Sequence, residues 1–282
     1  MSDHPILVIG RTGQLARALG RVLDGRNAVF LDREALDLSR PVTELPSASG
    51  VIIAAAYTAV DKAESEPDLA TRVNATAVGE IAALCAQTDT PVVHVSTDYV
   101  FSGEGHTPWR PDDATAPLGA YGRSKLAGEE ALRASGARHA ILRTSWVFDG
   151  TGGNFLTTML RLSETRDTLG VVDDQIGRPT YAGHLAEACV AALGGLSDAT
   201  AGTYHVSNSG EPVSWADFAT AIFDEAGVDM TVNRIPSSDY PTPAKRPAWS
   251  VMDIADFEAV FGYTLPHWRE GLRAAFDERG PT

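Results

Sequence analysis

Five nearly continuous aliphatic runs, interspersed with three stretches of helical periodicity, organise the first half of this 282-residue chain. They are Pro5 to Ile9, Ala28 to Leu31, Val51 to Ala55, Val92 to Ser96 and Ala140 to Leu142. Apolar side chains at successive positions of a strand point to opposite faces, so such runs need cover on both sides. The intervening stretches supply it. Gly13 to Leu23 places Leu15, Ala18, Leu19 and Val22 at helical spacing, and Leu69 to Ala86 and Tyr121 to Ala134 also read as helices. The alternation predicts an α/β fold, a doubly wound parallel sheet with helices on both faces. Beyond about residue 145 the rhythm breaks, with glycines at 150, 152 and 153 and prolines at 236, 241, 243 and 247. We expect a dinucleotide-binding unit over 1–145. Residues 146–282 should form mainly a smaller, mixed α/β substrate lobe of extended loops and short helices, with some segments returning to the first unit. The cleft between the two is the expected ligand site.

The first strand ends in Gly10-Arg11-Thr12-Gly13-Gln14-Leu15-Ala16 and leads directly into the first helix. In that context the turn at Gly10, Arg11, Thr12 and Gly13 reads as a Rossmann-type cradle. Glycines admit the ligand backbone-close, small Ala16 lets helix and sheet approach, and the helix N-terminus attracts a pyrophosphate. Asp32, at the end of the second strand, can accept hydrogen bonds from an adenosine ribose. Arg33 and Arg11 could instead hold a 2′-phosphate. NADPH and NADH both remain open.

Tyr121 and Lys125 stand one helical turn apart in Tyr121-Gly122-Arg123-Ser124-Lys125, so the phenol and ammonium can converge. A neighbouring cation favours a phenolate, and this pairing predicts a tyrosine of lowered pKa suited to acid–base catalysis.

Composition narrows the partners. A net charge of −14 leaves no basic stripe for nucleic acid. The longest apolar run, Val51 to Val60, is far too short for a membrane span. Cys85 and Cys189 lie far apart in helix-like apolar patterns, suiting free buried thiols. Met1-Ser2-Asp3-His4 lacks the features of a signal peptide. A cytoplasmic protein is expected.

The motifs together resemble the extended short-chain dehydrogenase/reductase superfamily and, within it, the dTDP-4-dehydrorhamnose reductase family. The resemblance rests on stretches 54–64 (Ala-Ala-Ala-Tyr-Thr-Ala-Val-Asp-Lys-Ala-Glu) and 96–101 (Ser-Thr-Asp-Tyr-Val-Phe). It continues through 143–148 (Arg-Thr-Ser-Trp-Val-Phe), 173–180 (Asp-Asp-Gln-Ile-Gly-Arg-Pro-Thr) and 243–247 (Pro-Ala-Lys-Arg-Pro). It implies reduction of the 4-keto group of dTDP-4-dehydro-L-rhamnose to dTDP-L-rhamnose. Tyr121 would give the proton, Lys125 would lower its pKa and bind the nicotinamide ribose, and Thr97 would bond the reacting oxygen. It also implies cofactor contacts from Gly13, Gln14 and Leu15, from Asp32, Asp37 and Leu38, and from Ala56, Tyr57 and Thr58. Thr97, Asp98 and Trp146 would hold the deoxysugar nucleotide, with Asn154 and Arg246 near its diphosphate.

Two positions depart from the family pattern. Ala18 stands where some members carry a magnesium-binding acid at a dimer interface, which argues against a metal site and leaves monomer or homodimer open. Ile53 replaces a frequent asparagine, altering one strand-end hydrogen bond. Tyr99 after Asp98 removes the second acid that a dehydratase of this fold requires. A talose-forming reductase, an epimerase and a non-catalytic regulatory subunit remain as alternatives.

Overall fold

The computed structural model describes residues 4–279. Five consecutive parallel strands are β1 (Ile6–Ile9), β2 (Ala28–Leu31), β3 (Gly50–Ile53), β4 (Val92–Thr97) and β5 (His139–Thr144). Between them run α1 (Gln14–Val22), α2 (Val60–Ala63), α3 (Pro67–Thr71), α4 (Ala77–Gln87) and α5 (Ala120–Ala134). The later chain forms β6 (Val147–Phe148), α6 (Phe155–Ser163), β7 (Thr168–Val172), β8 (Ile176–Gly177), β9 (Thr180–Tyr181) and α7 (Ala182–Gly195). After these come β10 (Gly202–His205), β11 (Val213–Ser214), α8 (Trp215–Ala226), β12 (Thr231–Ile235), α9 (Ala255–Phe261) and α10 (Trp268–Arg279).

The main sheet is six-stranded and wholly parallel, in the order β10-β5-β4-β3-β1-β2. Strand alternation sorts its side chains into two layers. Val8, Ile52, Val93, Ala140 and Leu142 pack against α1, α7 and α9. Leu7, Ile9, Val51, Ile53, Val92 and Ile141 face α4 and Leu132 of α5. Nearly all are fully buried, and each such Val, Leu or Ile side chain contributes about 1.5–3 kcal/mol of transfer free energy. A separate core joins α6, β7, α8 and α10 through Leu156, Leu169, Phe218, Phe223, Trp268 and Leu272. Strands pair there in both senses, β7–β12 and β6–β9 parallel and β8–β11 antiparallel. The sheet is therefore the expected doubly wound one, beside a mixed lobe.

Two expectations change. The later chain is not made of short helices: α7 spans 14 residues, and α8 and α10 span 12 each. Helix α7 is apolar on most sides because it is buried, so its 3.6-residue period is faint. The helix read over Leu69 to Ala86 is interrupted by a π-helical turn at Arg72–Thr76. Cys85 and Cys189 are free and buried. No helix among the described residues is long and apolar enough to cross a membrane.

From β1 the chain turns to β2 on one side and later to β3 on the other. The loops leaving these neighbours diverge and open a crevice at the carboxyl ends of the strands. That crevice continues into the second lobe as one cleft of about 1520 Å³.

Candidate active site

The cleft begins at the turn after β1. Gly10 has φ +118° and lies so close to β3 that a Cβ would sit 3.2 Å from the Ala55 nitrogen, which explains a glycine there. Helix α1 starts after Gly13 with no side-chain cap, leaving its first N–H groups directed at the crevice. Gln14 donates to the Val147 carbonyl at 3.4 Å, tying this turn to β6. At the end of β2, Asp32 accepts from the Glu34 and Ala35 amides and lies 3.7 Å from the Arg11 guanidinium. Arg33 similarly faces Asp37 at 3.5 Å. Bonds from the Ser39 hydroxyl and amide hold the Asp37 carboxyl below its ordinary range. Each exposed cation at this corner therefore stands beside an acid.

One wall is built from α5 and the end of β4. Gly122 packs directly on the turn after β4, where a Cβ would come within 2.2 Å of the Tyr99 carbonyl oxygen. That contact sets the height of α5, and with it Tyr121 and Lys125. The Tyr121 ring meets Tyr99 edge-on at 5.4 Å. Thr97, the last residue of β4, accepts from the Tyr99 amide at 3.3 Å and donates its hydroxyl hydrogen to Asp98 at 3.0 Å. Thr97, Asp98, Tyr121 and Lys125 all line the cleft.

Lys125 is 1% exposed. Its ammonium donates to the Val95 carbonyl at 2.8 Å and meets His94 Nε2 at 3.1 Å. An ammonium can only donate, so His94 Nε2 accepts and the imidazole proton resides on Nδ1. Burial, reinforced by Lys125 and His139, holds the His94 pKa well below its ordinary value and keeps the ring neutral. Burial also draws Lys125 down to about 8, against the attraction of Glu129 one turn further along α5. Glu129 is fully buried and accepts from Ser96, Arg143 and Arg133. Burial raises its pKa, but those donors outweigh it and leave the carboxyl below its ordinary range.

The lowered tyrosine pKa expected from the Tyr121–Lys125 spacing is not what this site produces. Burial pushes Tyr121 up to about 12, Asp98 adds to the rise, and the Thr97 hydroxyl only partly opposes it. The Lys125 ammonium bonds the β4 backbone, and desolvation of the phenolate outweighs any help from it. Asp98 is itself pushed up to about 6 by burial, in spite of the hydrogen bond from Thr97.

Among the residues singled out from the sequence, Gly10 to Leu15, Asp32, Arg33, Asp37, Leu38, Ala56, Tyr57, Thr58, Trp146 and Arg246 also line the cleft. Asn154 does not. Its side chain caps α6 by accepting from the Thr157 amide and donates to the Asp149 and Thr151 carbonyls, so its polar atoms are engaged. Trp146 holds a left-handed backbone (φ +51°) unusual for a large side chain, and its ring stacks on Trp215 with centroids 3.6 Å apart. Arg246 pairs with Asp61 at 2.8 Å.

Three residues escaped the sequence reading. Trp215 shares the stacked face of Trp146, and a tryptophan opening a helix reads as core. Arg166 lines the cleft as an exposed cation with no ion-pair partner among the described residues. Asn74 sits within the π turn, where it bonds both the amide and carbonyl of Tyr57 and the Ser124 hydroxyl beside Lys125. A π turn carries no periodic signature, although a buried asparagine inside an apolar helix was a visible hint. No group of His, Cys, Asp or Glu able to hold a metal occurs among the described residues. Ala18 is buried in the core shared by α1 and α7.

Comparison with known proteins places this geometry. The family model described as RmlD substrate binding domain matches residues 4–280. A dTDP-4-dehydrorhamnose reductase of Salmonella typhimurium is 44% identical over 291 residues, covering 97% of each chain. The crystal structure of such a reductase from Clostridium acetobutylicum superposes with a TM-score of 0.91 at 36% identity, over 97% of this chain and 99% of that one. The Bacillus anthracis reductase, solved in complex with NADP, gives 0.91 at 33% identity over 98% and 100%.

Proposed function

The chain belongs to the RmlD substrate binding domain family, and we propose on that premise that it reduces dTDP-4-dehydro-L-rhamnose to dTDP-L-rhamnose. It is a nicotinamide-dependent oxidoreductase of dTDP-rhamnose synthesis. The observation that carries the residue-level reading is the convergence of Thr97, Tyr121 and Lys125 on one wall beside an uncapped helix N-terminus. The glycine cradle at Gly10 and the open amides of α1 fit a dinucleotide diphosphate. Residues 56–58 line the approach to the position of the nicotinamide.

When bound, the reduced nicotinamide supplies hydride to the sugar C4. Tyr121 protonates the oxygen that thereby becomes an alkoxide. A phenol at about 12 is fully protonated at neutral pH, so the acid form is always present. A sugar alkoxide is a far stronger base than a phenolate, so the proton still moves downhill. Thr97 donates to the reacting oxygen and fixes its distance from Tyr121. Lys125, anchored by Val95 and His94, keeps one N–H that would bond the nicotinamide ribose. Trp146, its ring stacked on Trp215 and packed against Gly177, lines the part of the cleft given to the deoxysugar. Residues 1–145 form the cofactor unit and 146–282 the substrate lobe, which lends β10 and α7 back to the sheet. A cytoplasmic setting fits the two unpaired thiols, and the chain works as a monomer or homodimer.

The test is incubation with dTDP-4-dehydrorhamnose and either NADPH or NADH, with the product identified by NMR. Formation of dTDP-rhamnose is expected. A talose product would show hydride arriving on the other sugar face, and absence of turnover by folded protein would refute the assignment.

A further inference from the structure

The loop Tyr240-Pro241-Thr242-Pro243-Ala244-Lys245-Arg246-Pro247 crosses from the second lobe to the rim of the cleft, where one residue holds it. Asp61, in α2, accepts from Arg246 Nη2 at 2.8 Å through one carboxylate oxygen and from the Ala244 amide at 3.1 Å through the other. Arg246 also donates to the Ala244 carbonyl at 3.4 Å. Asp61 and Arg246 both line the cleft, and both act electrostatically on Tyr99, whose ring abuts Tyr121. The pair thus lies beside the wall assigned to chemistry, at the mouth through which a sugar nucleotide passes.

A dianionic diphosphate entering this mouth needs cations, and few are at hand. Lys62 is paired with Glu66 at 2.9 Å. Arg246 meets Asp61 through a single guanidinium nitrogen and remains 21% exposed, with Asp61 43% exposed. A half-solvated contact of that kind is weak. A diphosphate offers more charge and two oxygens to the guanidinium fork, a stronger and more directional partner.

The geometry points to Asp61 as a resident counter-ion that the nucleotide diphosphate displaces. With the cleft empty it holds Arg246 and the proline loop in place; with the diphosphate bound, Arg246 exchanges partners while the Ala244 amide keeps the loop on Asp61. The carboxylate then faces a like charge, so it lowers affinity for the sugar nucleotide and favours release of product. This rests on the nucleotide-sugar reading given above.

Calorimetric titration with dTDP, and with thymidine as the uncharged control, tests it. Asp61→Asn keeps the acceptor for Ala244 but removes the competing charge. It should bind dTDP tighter by about 1.5-fold to fivefold, the range set by a partly exposed ion pair. Arg246→Ala should weaken dTDP binding, and the double variant should bind as Arg246→Ala does, because the gain acts through the guanidinium. Thymidine affinity should be the same in every variant. Unchanged or weaker dTDP binding by Asp61→Asn, or a gain that survives loss of Arg246, overturns the exchange while wild-type binding upholds the substrate class. A wild-type protein that does not bind dTDP overturns both.

Discussion

Tyr121 and Lys125 were legible as a pair because four-residue spacing puts two side chains on one helical face. Their protonation was not, because a pKa depends on the depth of burial and a sequence does not state depth. Replacing Tyr121 by Phe removes the hydroxyl proposed above as proton donor and leaves the ring contact with Tyr99. Turnover should fall by roughly 10²–10⁴-fold with cofactor affinity nearly unchanged, as measured by steady-state kinetics and fluorescence titration. Lys125 makes a separate prediction. Its ammonium is present below a folded pKa of about 8 and lost as pH rises through it. The value of kcat/KM for the reduced coenzyme should therefore decline on the alkaline side near that pH, and Lys125→Met should be slow throughout with no such limb. A wild-type profile flat through this region would contradict the role given to the cation.

Helix α5 and the π turn show what can and cannot be anticipated for an element. Strand-by-strand aliphatic runs announced β1 to β5 to within a residue or two; β1, β3, β4 and β5 are buried on both faces, and even the half-exposed edge strand β2 is aliphatic or aromatic throughout. The π turn at 72–76 gives no such signal, and it is what brings Asn74 to Tyr57 and Ser124. Asn154 shows a signal that was present and passed over. An asparagine directly before an apolar helical segment is a strong N-cap pattern, and its side chain caps α6. The seat of α5 also yields a prediction. Gly122→Ala would drive a methyl group into the Tyr99 carbonyl oxygen, and because backbone cannot swing aside, α5 must shift. We expect a loss of about 1–3 kcal/mol in chemical denaturation together with a drop in kcat. Wild-type stability and turnover would show that the contact is softer than the geometry implies.

Across the molecule, strands of the main sheet are tied to the elements packed beside them by buried polar groups that no periodic pattern reveals. His205 on β10 is one, with its ring bonded to the Trp109 carbonyl and set edge-on to Phe101. Burial and then Arg143 depress its pKa from 6.5 to about 4. Its folded value lies below its unfolded one, so the neutral ring's contribution is fully present above 6.5 and is lost as pH falls toward 4. That contribution is of order 3 kcal/mol. Denaturant midpoints should fall across this window, and His205→Gln should flatten the fall. The Glu129–Arg143 pair is a second such junction. Glu129→Gln leaves a buried guanidinium without its counter-charge and should cost about 3–5 kcal/mol, read from equilibrium unfolding.

The place of β10 in the main sheet bears on how the protein is made. The edge of β5 is closed by residues 202–205, and the face over α1 is closed by α7. A nascent chain about 150 residues long emerges from the ribosome with that strand unpaired and that apolar layer bare, conditions that invite aggregation. The main sheet therefore matures only after residues 182–205 have been synthesised, and a fragment ending near residue 145 should be insoluble where the whole chain is not.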